Sequence, residues 1–105
     1  MKRTKAFSCF FDLGIDVDLM LTDVILPRIQ HEVRHLNLGM VIVVFDEGED
    51  EDTIETVKQR IFECVRSITQ DKFEVGVVKD MTRQEYMLRL RKYNIPAMEI
   101  YQKLF

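Results

Sequence analysis

The unbroken apolar run Met40-Val41-Ile42-Val43-Val44-Phe45 constrains this chain more than any other feature. A strand with one wet face alternates apolar and polar residues. A continuous run rich in β-branched residues needs cover on both faces, as in the middle of a parallel sheet flanked by helices. Two more segments read as strands: Ala6–Phe11, short and rich in aromatics, and Phe73–Val78, whose mixed pattern fits a position nearer an edge. The three are spaced about 33 residues apart. With 105 residues and 12.5 kDa there is room for one hydrophobic core, so residues 1–105 read as a single domain. A composition 47% hydrophobic and 31% charged, with four Gly and two Pro, excludes a disordered tail, a collagen-like repeat and a low-complexity linker.

Between the second and third strands, Ile54, Val57, Ile61, Cys64, Val65 and Ile68 recur at helical spacing, and Asp52-Thr53-Ile54-Glu55 offers a capping-box pattern. After the third strand, Thr82-Arg83-Gln84-Glu85 is a full capping box. It opens a helix from about Arg83 to Tyr93, with Tyr86, Met87, Leu90 and Tyr93 on one face and Asn94 and Pro96 as stop signals. In the segment 16–37, Leu21, Ile25, Ile29, Val33 and Leu36 form a helical stripe interrupted by Pro27. Alternation from Ile15 to Leu21 also admits a strand returning from a Gly14 turn; one long kinked helix is the favoured reading. Leu19, Met20, Val24 and Leu26 make the first half of that helix apolar nearly all round, wider than one sheet face covers, which motivates a subunit interface and a homo-oligomer. The tail Ala97–Phe105 is a last strand or a short helix. The order β-α-β-α-β-α(-β) predicts a three-layer α/β sandwich with right-handed crossovers and a mainly parallel sheet of three or four strands.

From Met40 to Tyr101 this arrangement resembles the thioredoxin-like superfamily: a core strand, a long amphipathic helix, a strand Glu74–Val78 leading to Asp80, a short helix, and Tyr93-Asn94-Ile95-Pro96 before a final strand. Where redox members place C-x-x-C, this chain has Glu47-Gly48-Glu49-Asp50-Glu51-Asp52, so the resemblance implies a redox-inactive relative. Cys9 and Cys64, in separate apolar patterns, read as two buried free thiols in a reducing compartment. The basic N-terminus precedes an apolar stretch too short for a signal peptide, and no run approaches the roughly 20 residues needed to cross a bilayer. The expected setting is cytoplasmic, with no membrane.

Two motifs point to metal chemistry. His31-Glu32-Val33-Arg34-His35 matches H-E-x-x-H and resembles the zincin metallopeptidases. There two imidazoles one turn apart hold Zn²⁺ and the Glu acts as general base. Arg28 and Arg34 stand where those enzymes usually carry uncharged residues, no third His follows, and the apolar stripe turns His31 and His35 towards solvent. Asp12, Asp46 and Asp80 each come at or just past a predicted strand end. Parallel strands bring such ends to one sheet edge, where three carboxylates can hold Mg²⁺ for phosphoester hydrolysis.

Charge completes the reading. The net charge of −3 sets up no global field for a nucleic-acid backbone, so nucleic acid is not an expected partner. Locally, Asp46–Asp52 carries six carboxylates in seven residues, while Arg83, Arg89, Arg91 and Lys92 share one helix. With Gly only at 14, 39, 48 and 76, neither G-x-G-x-x-G nor a P-loop exists. The expected function is a protein-binding or regulatory module, homo-oligomeric and non-catalytic, without a cofactor. Its contact surfaces are Leu19, Met20, Val24 and Leu26 and the acidic residues Glu49, Asp50 and Glu51. The alternatives are a Mg²⁺ hydrolase on Asp12, Asp46 and Asp80, and a zinc hydrolase on His31, Glu32 and His35.

Overall fold

The computed structural model describes residues 3–93, with Tyr93 described in its backbone only; the expected stop at Asn94 and Pro96 and the last element at 97–105 lie outside the described residues. Strands β1 (Lys5–Phe11), β2 (Leu38–Phe45) and β3 (Glu74–Val78) form a parallel sheet in the order β1-β2-β3. The apolar run thus occupies the centre, as its composition requires. Among the described residues β3 lies at an edge of the sheet, and each of its residues keeps some exposure. The register aligns Ser8, Ile42 and Gly76 in one row and Phe10, Val44 and Val78 in the next row on the same face.

The first crossover is one helical run: α1 (Val17–Met20), a π-helical turn over Leu21–Ile25, and α2 (Leu26–His35). The second is α3 (Glu51–Arg66). α2 and α3 contact each other on one face of the sheet, over Cys9, Phe11, Val41, Val43 and Phe45, all fully buried. Helix α4 (Arg83–Tyr93) meets the opposite face through Tyr86, which bonds Ser8 and stacks on Phe10 with ring centroids 5.3 Å apart. The expected three-layer α/β architecture is therefore the observed one.

Local signals explain the element ends. Pro27 has no N–H to give to the preceding turn. The turn before it widens so that the Leu26 N–H reaches Leu21 O, and the helix continues through the proline instead of breaking into a hairpin. α2 stops where Leu36 N–H bonds Glu32 O and Asn37 takes a φ of 57°, the left-handed conformation Asn tolerates best after Gly. The N-cap of α3 is Asp50 rather than Asp52. Its Oδ1 accepts from Thr53 N–H (2.9 Å) and its Oδ2 from the Thr53 hydroxyl (3.0 Å), so the helix begins earlier than the Asp52–Glu55 pattern implies. The α4 box forms as expected, with Glu85 N–H donating to Thr82 Oγ1 (3.2 Å) and Thr82 N–H to Glu85 Oε1 (3.4 Å).

At the N-terminal edge of the sheet Arg3 is a clamp. Its Nε pairs with Asp71 (3.0 Å) and its Nη1 donates to Val33 O (2.6 Å), tying the entry to β1 to the end of α2 and to the loop before β3. Gly39 lies so close that a Cβ there would stand 2.8 Å from Arg3 Cβ. No helix among the described residues is long and apolar enough to cross a membrane.

Candidate functional site

The C-terminal edge of a parallel sheet is the usual place for a site in such folds, and here it gathers charge. Asp12 directly follows β1 and Asp46 directly follows β2, while Asp80 lies two residues beyond β3 with a φ of 54°. Two backbone bonds lash the edge together: Asp46 N–H to Phe11 O and Met81 N–H to Phe45 O, each 3.2 Å. Each carboxylate has a different environment. Asp12 is half-buried, its Oδ2 has no hydrogen-bond partner among the described residues, and Arg83 Nη2 stands 3.8 Å from it. Asp46 Oδ1 accepts from the Glu47 N–H (2.8 Å). Asp80 is exposed.

The three share an edge but not a point in space. Among the described residues no three His, Cys, Asp or Glu side chains converge to hold a metal ion, which corrects the expectation of an Asp12, Asp46 and Asp80 magnesium triad. The acidic segment also has internal uses. Asp50 caps α3, and the Thr53 backbone and side-chain hydrogen bonds hold its carboxyl below the usual range. Lys79 Nζ donates to both Glu51 oxygens (2.8 and 3.0 Å), and that contact raises the lysine above its ordinary value. Glu49 is half-buried, with Oε1 accepting from Asp50 N–H (3.3 Å).

The H-E-x-x-H motif divides. His31 and His35 are exposed on α2 with ring centroids 4.9 Å apart, as the stripe of Leu21, Ile25, Ile29 and Val33 implies. Glu32 faces the other way. It is 2% exposed, bonded by Arg28 Nε at 2.9 Å, and its Oε2 has no partner among the described residues. A carboxylate turned into the protein and committed to an arginine is not placed as general base for water bound between those imidazoles. The Glu and the two His of the motif thus lie on different sides of α2.

The expected apolar interface is also largely internal. Met20 is fully buried, and Val24 and Leu26 are half-buried against the chain's own core; Leu19 alone of the four is open, at 50%. Apolar exposure instead appears on α4, where Leu88 is 63% and Met87 37% exposed. With Arg83, Gln84 and Arg91 they line a shallow recess of about 390 Å³. On the inner side of α4, Ser8 is small and Gly76 lacks a side chain, so the row Ser8-Ile42-Gly76 lies low. A hollow of about 160 Å³ remains among Ile42, Val44, Val78, Tyr86, Leu90 and Arg89.

Cys9 and Cys64 are both free thiols; Cys9 is buried as expected, whereas Cys64, on the flank of α3, is only half-buried. Burial pushes the Cys9 thiol up to about 12 and raises that of the half-buried Cys64, against a smaller lowering by Gln30 and Arg34. No family model, no curated protein and no solved structure matches the chain.

Proposed function

We propose that this chain is a non-catalytic protein-binding module that associates with further copies of itself, the outer face of α4 in one copy receiving the acidic segment Asp46–Glu55 of the next. The exposure of Leu88 on α4 carries the reading. The helix gives the core Tyr86 and half of Leu90, yet presents Leu88 and Met87 beside Arg91. An apolar contact rimmed by one charge sign is the anatomy of an interface. The acidic segment supplies the complementary sign, with seven carboxylates between Asp46 and Glu55. Such a contact closes a two-fold dimer where both pairs of surfaces meet at once, and runs head-to-tail into a ring or an open chain of copies where they do not.

Two further observations agree with this reading. Free thiols suit a reducing cytoplasm. On the resemblance to the thioredoxin-like superfamily, the acidic segment would stand where redox members carry paired cysteines, which supports binding over redox work. A hydrolase has less support, since no three His, Cys, Asp or Glu side chains among the described residues converge on one point.

Light scattering of the purified chain at low and high salt tests the proposal. The expected mass at low salt exceeds that of a single chain, and Leu88→Glu or added salt lowers it. A single-chain mass at low salt and high protein concentration refutes it.

A further inference from the structure

His31 and His35 carry a consequence independent of that proposal. Two imidazoles that ligate one ion do so through nitrogens about 2.0–2.1 Å from the metal. With a ring radius of about 1.1 Å and an angle at the metal between square and tetrahedral, their centroids then lie roughly 4.5–5.1 Å apart. The observed separation is 4.9 Å, on an exposed face and one helical turn apart. We propose that His31 and His35 form a two-imidazole site for an imidazole-preferring divalent transition metal, Ni²⁺ and Zn²⁺ being the probes, with water completing the coordination shell.

The surroundings set the character of the site. Arg28, one turn before His31, is neutralised by its pairing with Glu32 (2.9 Å), so it does not oppose a cation at full strength. Arg34, exposed on the same helix, adds one positive charge nearby and keeps the affinity modest. Glu32 is turned inward, so the site binds without a built-in base. Cys64 is a further donor near this part of α2, through Gln30 and Arg34, and it serves as the control.

The test is titration of the full chain with Ni²⁺ and with Zn²⁺, followed by calorimetry and by the histidine ring proton signals. The expected result is saturable binding that weakens about 100-fold in His31→Gln and equally in His35→Gln, because either change leaves a single-point ligand. Cys64→Ser leaves it unchanged. Both histidines are exposed, so the variants retain the fold, which far-UV circular dichroism verifies. Absence of binding in the unaltered chain, binding that survives either histidine substitution, or loss of binding in Cys64→Ser each overturns the proposal.

Discussion

Tyr86 and Ser8 offer the sharpest test of how α4 is held. Their hydroxyls are 2.9 Å apart, Ser8 is 3% exposed and Tyr86 2%. Tyr86→Phe keeps the ring on Phe10 but strips Ser8 Oγ of the partner it has here. A typical buried hydrogen bond contributes about 1 kcal/mol net, and a buried hydroxyl left unsatisfied costs about 1–3 kcal/mol. The hollow beside Ser8 opens to solvent, so water reaches the orphaned oxygen and holds the loss near the lower end, about 1.5 kcal/mol. Ser8→Ala removes the same bond from the strand side, at about 1 kcal/mol. The double variant removes both polar groups together, so its loss is about 1 kcal/mol rather than the sum. Urea and thermal unfolding followed by circular dichroism measure all three, and a loss of about 1.5 kcal/mol lowers the midpoint by roughly 6–12 °C in a domain of this size. Losses that add to within about 0.5 kcal/mol would falsify the claim that this bond couples α4 to the sheet.

Three further outcomes follow from other parts of the chain. Gly39→Ala places a Cβ 2.8 Å from Arg3 Cβ and 2.9 Å from Arg3 O; the displaced N-terminal segment loses its clamp, and urea unfolding registers a loss of about 2 kcal/mol. Asp50 has a folded-state pKa below its unfolded one because Thr53 favours the anion, so its contribution is present above the unfolded value of about 4 and disappears as pH falls through the folded one. Asp50→Ala therefore lowers the urea midpoint at neutral pH and ceases to do so in acid, whereas an unchanged deficit at both pH values speaks against the carboxylate as the cap. A thiol reagent applied at mildly alkaline pH labels half-buried Cys64 slowly and fully buried Cys9 only after unfolding; rapid labelling of both in the native protein contradicts the packing of β1.

Much of the fold is legible where a local signal and a tertiary requirement coincide. The run Met40–Phe45 demanded two-sided cover and lies at the centre of the sheet. Thr82 and Glu85 wrote a box that forms atom for atom. The start of α3 is less legible, because Asp46–Asp52 offers several carboxylates as caps and only the direction of the incoming chain selects Asp50. Site residues fare worse for a physical reason. Parallel strands guarantee that Asp12, Asp46 and Asp80 share an edge, but the distances between them depend on loop conformations that spacing does not encode. Ser8 did carry a signal: a hydroxyl inside an apolar strand has to find a buried partner. That partner is Tyr86, 78 positions away, and periodicity says nothing at that range.

The helix before β2 shows how an apolar excess is absorbed without a second subunit. In a regular α-helix each four-residue step overshoots a full turn by about 40°, so Leu21, Ile25, Ile29 and Val33 would drift around the axis and call for ever wider cover. The π-helical turn over Leu21–Ile25, placed next to Pro27, opposes that drift at its first step, and all four side chains are buried. Residues beside the stripe are covered within the chain as well, with α3 against α2 on the same sheet face: Val24 and Leu26 end half-buried against the core and Met20 is fully buried. Proline thus does more than interrupt a pattern. It marks the point where the helix takes in an extra residue per turn, and that residue turns a surface too broad for one sheet face into one that the sheet and a neighbouring helix cover together. Leu19, on the side that neither reaches, is the one of the four that keeps half its surface in water.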